Sequence, residues 1–164
     1  MSKMITVSIE IEEFDSMSQL AEEDEVLMAR AIDSAASAYA PYSNFHVGAA
    51  VLLENGETVT GNNQENVAYP SGLCAERVAL FTAGAHFPDV PIKTIAITAQ
   101  SESFDISEPL APCGACRQVM VEYEKKYTGK IRVILKGETG KIWVVQSIND
   151  ILPFSFSSDK LKSL

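Results

Sequence analysis

The chain has 164 residues, 46% of them hydrophobic and 21% charged, with a formal net charge of −9 at pH 7. This composition describes one globular unit with a sizeable core, not a disordered chain. The acidic balance and the lack of any Lys or Arg run argue against a nucleic-acid backbone as partner.

Residues 4–11 alternate, with Ile5, Val7, Ile9 and Ile11 on one side, and this period of two predicts a half-buried strand at an edge or between subunits. The stretch from Met1 to Glu13 reads as neither signal peptide nor membrane span, so a cytoplasmic protein with reduced thiols is expected. From Ser18 to Ala38 the chain lacks Pro and Gly, and Leu20, Leu27, Ala31, Ala35 and Ala38 form a stripe at helical spacing, with Ser18 as the expected N-cap. The acidic run Glu22 to Glu25 sits near that start, where the helix dipole favours negative charge. Pro41 ends the helix. His46 to Glu54 reads as a strand, Asn55-Gly56 as a type I′ turn, and Glu57 to Gly61 as the return strand. A loop over 62–73 leads to a helix from Ala75 to about Ala85. Thr94 to Ala99 reads as a buried strand, followed by a polar loop to Pro112 and a helix from Gly114 to about Tyr127. Two strands follow, from Ile131 to Leu135 and from Ile142 to Val145, then a short helix over 147–152 stopped by Pro153. Strand–helix–strand alternation implies at least one parallel pairing, hence a layered α/β domain.

The chemistry concentrates in three cysteines, all the chain has. Cys113 and Cys116 flank Gly114-Ala115, and Cys74 opens the run Cys-Ala-Glu-Arg. Three cysteines cannot all pair within one chain; Cys113 and Cys116 alone read alternatively as a redox pair, which would leave Cys74 and Glu76 as coincidences. Three thiolates can hold one zinc ion with a fourth tetrahedral position left for water, the arrangement of a catalytic site and not of a closed structural one. Both cysteine segments fall at predicted helix starts, where the dipole favours thiolate. Arg77 and Arg117 follow ligands closely and are placed to donate to sulfur. Glu76 reads either as a proton shuttle or as a capping residue in the first helical turn. His46 and His86 have no ligand spacing to the cysteines.

The sequence resembles the small form of cytidine deaminase, which holds its zinc with three cysteines and assembles as a homotetramer. The stretches that carry the resemblance are Tyr39 to Ala50, Gly61 to Asn66, Cys74 to Arg77, Pro112 to Gln118 and Leu152 to Phe156. The resemblance implies a three-layer α/β/α fold with a mixed, about five-stranded sheet, in a single domain over 15–164 preceded by an extension over 1–14. It implies zinc on Cys74, Cys113 and Cys116, with Glu76 as shuttle. Asn63 and Glu65 match residues that grip ribose, Phe45 matches the aromatic packed on the pyrimidine, and the Ala75 N–H matches a donor to the base carbonyl. Arg77 and Gln118 match supporting residues, and Phe156 matches an aromatic lent to a neighbouring subunit's pocket. The implied reaction is the general one of zinc deaminases, hydrolysis of cytidine or 2′-deoxycytidine to the uracil nucleoside and ammonia. The alternatives are a deaminase of a free base, a nucleotide or an aminonucleoside antibiotic, and, in a different class, a non-catalytic zinc-stabilised binding module that would need a fourth ligand from Glu76, His46 or His86.

Overall fold

A computed structural model describes residues 2–127 and 129–157. Six strands form one mixed sheet in the order β1-β6-β5-β4-β2-β3: β1 (Glu12–Phe14), β2 (Phe45–Leu53), β3 (Thr58–Asn62), β4 (Ile92–Ser101), β5 (Arg132–Lys136) and β6 (Ile142–Val145). Only β4 and β5 run parallel, and α3 (Gly114–Tyr127) crosses between them. The remaining neighbours pair antiparallel.

The central strands carry apolar side chains on both faces, as strands covered on two sides must. On one face Ala50, Leu52, Ala96, Ile134, Ile142 and Val144 meet Leu27, Met28 and Ala31 of α1 (Glu22–Ala35). On the other, Ala49, Val51, Ile95, Ile97 and Val133 meet Ala79, Leu80 and Ala83 of α2 (Ala75–His86) and Met120 and Val121 of α3. The result is the three-layer α/β/α architecture. Two glycines set the spacing of the layers. A Cβ on Gly48 would lie 2.0 Å from the Ala31 carbonyl oxygen of α1, and one on Gly61 would lie 2.4 Å from the Ala79 nitrogen of α2.

A bidentate ion pair at 2.8 and 2.9 Å joins the buried Asp24 of α1 to Arg132 of β5. Glu124 of α3 accepts from the Ile131 and Ile148 amides and the Ser147 hydroxyl, which fixes the end of α3 to the last strands.

Four details differ from the expectations. The first strand is not residues 4–11 but the next three, Glu12–Phe14, which pair with Val144, Trp143 and Ile142 of β6; residues 4–11 lie exposed and outside the sheet. That strand makes the sheet six-stranded. Ser18 caps nothing: Met17–Gln19 is a separate 3-10 turn, and α1 starts after Ala21 without a side-chain cap. The Asn55-Gly56 turn is not type I′, which needs positive φ at both residues. Only Gly56 has it, at 85°, while the Asn55 side chain accepts from the Glu57 amide at 3.1 Å.

Candidate active site

The N-termini of α2 and α3 bring the cysteines together. Cys74 immediately precedes α2, Cys113 immediately precedes α3, and Cys116 lies in the first turn of α3. Their three Sγ atoms lie within 4.8 Å of one another, and no histidine or carboxylate joins that group among the described residues. Cys116 is buried and Cys113 exposed, so the cluster opens to one side. The hydrogen bond from Cys116, helped by the Arg77 guanidinium, draws the Cys74 thiol down to about 5 against the opposing effect of burial. The same sulfur–sulfur contact, with burial, pushes Cys116 up.

Arg77 reaches the Cys74 sulfur at 3.8 Å and the Gly72 carbonyl at 3.4 Å. Arg117 does not serve a sulfur: its Nε donates to the Pro112 carbonyl at 2.7 Å and its Nη1 to that of Ile151 at 2.9 Å. It fixes the approach to α3 instead. Glu76, one residue into α2, is 4% exposed. Burial raises its carboxyl above the ordinary carboxylate value, its own backbone N–H opposes this, and the Cys74 charge adds to it.

A cavity of ≈ 730 Å³ faces this cluster. Cys74, Cys113, Glu76 and Arg77 form its floor, and Phe45, Asn63 and Glu65 stand on its walls. The two polar wall residues are also struts. The Asn63 amide accepts from the Val47 N–H at 2.8 Å and donates to the Phe45 carbonyl at 2.9 Å. Glu65 accepts from the Tyr42 amide at 2.9 Å and from the amide and hydroxyl of Ser43. A primary amide has two donors and two acceptor sites, and a carboxylate about four acceptor sites. Each residue therefore keeps hydrogen-bonding capacity for a ligand.

Ala75 is buried at the start of α2, and its N–H has no acceptor among the described residues. Gln118 turns away from the sulfurs and uses both ends of its amide on the Phe156 backbone, at 2.8 and 2.9 Å. Phe156 is 73% exposed and does not line its own chain's cavity. Sequence reasoning passed over Tyr42 and Ser43, which hold Glu65, although both lie in the Tyr39 to Ala50 stretch. It also passed over Leu110 and Ala111, which line the cavity from the polar loop. Phe104, whose ring stacks on Phe45 at 6.1 Å, carried no periodic signal.

A family model described as the cytidine and deoxycytidylate deaminase zinc-binding region matches residues 21–129. The chain belongs to the cytidine deaminase family. It is 37% identical over 141 residues to a cytidine deaminase of Halalkalibacterium halodurans, covering 84% of this chain and 96% of that one. A cytidine deaminase of Sporosarcina psychrophila is 39% identical over 137 residues, covering 84% and 93%. Among solved structures, the cytidine deaminase of Burkholderia pseudomallei superposes with a TM-score of 0.69 at 40% identity, over 80% of this chain and 97% of that chain. That of Mycobacterium tuberculosis gives 0.63 at 31% identity, over 81% and 96%.

The residues fit the family's zinc. Three soft sulfur donors converge from two helix starts, and no histidine or carboxylate oxygen lies within 4.8 Å of all three among the described residues. His46 stands in β2 beside a separate pocket and His86 at the end of α2 against Phe87, so neither completes a closed site.

Proposed function

We propose that this chain hydrolyses cytidine and 2′-deoxycytidine to uridine and 2′-deoxyuridine with release of ammonia, as a step of pyrimidine salvage. The observation that carries the proposal is the buried Glu76 carboxyl beside a three-sulfur cluster at the floor of a nucleoside-sized cavity. Zinc held by Cys74, Cys113 and Cys116 supplies a Lewis acid that acidifies water at neutral pH. Glu76 takes one proton from the attacking water and delivers it to ring N3. It then takes the remaining proton from the new C4 hydroxyl and delivers it to the amino group, so that C4=O forms as the C4–N bond breaks and ammonia leaves. Burial suits Glu76 to this task, because raising the carboxyl above its ordinary value makes its charged form a better proton acceptor.

The remaining residues bind and orient. The Ala75 N–H donates to the base carbonyl, and Phe45 packs against the pyrimidine. The free acceptor and donor positions of Asn63 and Glu65 hold sugar hydroxyls. Arg77 steadies Cys74, while Gln118 sets the path of the tail that carries Phe156. The exposure of Phe156 outside its own cavity supports its insertion into a neighbour's pocket in a homotetramer. We assign residues 15–164 to one deaminase domain with 1–14 as an extension. No helix among the described residues is long and apolar enough to cross a membrane; the cytoplasmic assignment rests on three thiols that must stay reduced to hold zinc.

Ultraviolet spectroscopy of the zinc-loaded protein tests the reading. Cytidine converts to the uracil spectrum, a chelator stops the conversion, and zinc restores it. Glu76→Ala keeps its zinc and fold while kcat falls by about 10²–10⁴-fold, the usual worth of a positioned acid–base group. Near wild-type turnover by Glu76→Ala removes Glu76 from the mechanism.

A further inference from the structure

We propose that residues 3–13 pair antiparallel with the same segment of a second copy of this chain, joining two sheets edge to edge through β1. The pairing is independent of the catalytic reading.

Three observations converge. Ile5, Val7, Ile9 and Ile11 are 79, 53, 45 and 43% exposed, yet their strict alternation is that of a strand with one covered face. Their own sheet cannot supply the partner: continuing the β1–β6 register would set Ile11 opposite Val145, the last residue of β6, after which the chain turns into the 3-10 turn Ile148–Ile151. The segment runs directly into β1, the edge strand of the sheet, whose side away from β6 has no strand partner among the described residues. An apolar, unpaired edge of this kind is a template for strand addition.

Charge selects the occupant and the register. The segment is basic at Lys3 and acidic at Glu10, Glu12 and Glu13. A parallel in-register copy would stack like charges on one another. An antiparallel copy with its two-fold axis at Ser8 sets Ile5 opposite Ile11, Val7 opposite Ile9 and Lys3 opposite Glu13, twice each by symmetry. The Glu13 carboxylate already accepts from Trp143 at 2.8 Å and faces Lys141 at 3.4 Å, and it keeps acceptor sites for a further cation. Cross-strand apolar and opposite-charge pairs of this kind stabilise a sheet. Moving the axis to Val7 would place Lys3 opposite Ile11 and leave the ion pair unmade. The Ser8 axis satisfies both patterns.

Cross-linking of the zinc-loaded full chain tests the register. Cα atoms directly opposite in an antiparallel pair lie about 4.5–5.5 Å apart, within disulfide range. Ser8→Cys is therefore expected to give a covalent dimer under mild oxidation. Thr6→Cys, whose counterparts stand about 14 Å apart along the paired strands, is expected to give about tenfold less. Lys3→Glu in the Ser8→Cys background reduces the yield and makes it insensitive to salt, whereas turnover of cytidine stays unchanged in all three. No dimer from Ser8→Cys, or equal yields from Ser8→Cys and Thr6→Cys, overturns the proposal. Size measurement of the protein lacking residues 2–11 is the second check: an unchanged mass together with unlinked Ser8→Cys excludes any role of the segment in assembly.

Discussion

Arg77 donates to the Cys74 sulfur while its Nε is buried without a hydrogen-bond partner, so its guanidinium is held by the site as much as it holds it. Residues that orient a ligand in this way commonly alter metal affinity by about 10–100-fold when replaced. Arg77→Gln is expected to lower zinc affinity by about that factor, read by competition with a chromogenic chelator; unchanged affinity would leave Arg77 only its bond to Gly72. Glu65 has a different dependence. The Ser43 hydroxyl holds its carboxyl below the ordinary value of 4.5; burial opposes this, and the Tyr42 and Ser43 amides add to the lowering. A lowered value means the charged form is favoured in the folded loop. Its contribution is complete above 4.5 and is lost as pH falls through the lowered value. Binding of the product uridine, measured by calorimetry, should therefore hold constant down to about pH 4.5 and weaken only below it. In Ser43→Ala the weakening should begin at higher pH.

At the scale of elements, the site depends on how closely α2 approaches β3. The Gly61 position admits no Cβ without displacing Ala75 and Ala79 backbone atoms of α2. Overpacking of this kind costs about 1–3 kcal/mol. Gly61→Ala is expected to lower Tm by roughly 3–10 °C and to loosen zinc, because α2 carries Cys74 at its start. A full-strength zinc site in that variant would show that β3 yields instead of α2. The helices were legible in the sequence because their apolar spacing and the cysteine motifs agree, and α3 starts and stops where Gly114 and Tyr127 suggested. The first strand was not legible. Its alternation lies in residues 4–11, whereas its position is decided by where β6 has partners, a tertiary fact. The side-chain acceptors of Arg117 and Gln118 were hidden for the same reason, since Ile151 and Phe156 are 34 and 38 residues away. Proximity in sequence to a sulfur did not determine what those side chains reach.

Over the whole molecule, the net charge is −9, and Arg77, already engaged with Cys74 and Gly72, is the one cationic residue lining the cavity among the described residues. A 5′-phosphate would meet Glu65 without a compensating cation. Cytidine 5′-monophosphate should consequently show kcat/KM lower than cytidine by about 100-fold or more, the equivalent of ~3 kcal/mol of unfavourable charge placement. Comparable rates for the two would place a phosphate site elsewhere on the rim. The clamp between Gln118 and Phe156 has a mechanical side. Gln118 stands two residues beyond Cys116 on the same helix, and Lys125 bonds Ser155 two residues before the helix ends at Tyr127. Tension on the tail is thus borne by the rod that carries Cys116 in its first turn and begins directly after Cys113. Protein anchored to a solid support through its tail should tire sooner under flow than protein anchored through an exposed side chain such as Glu57, and should shed zinc as it does so.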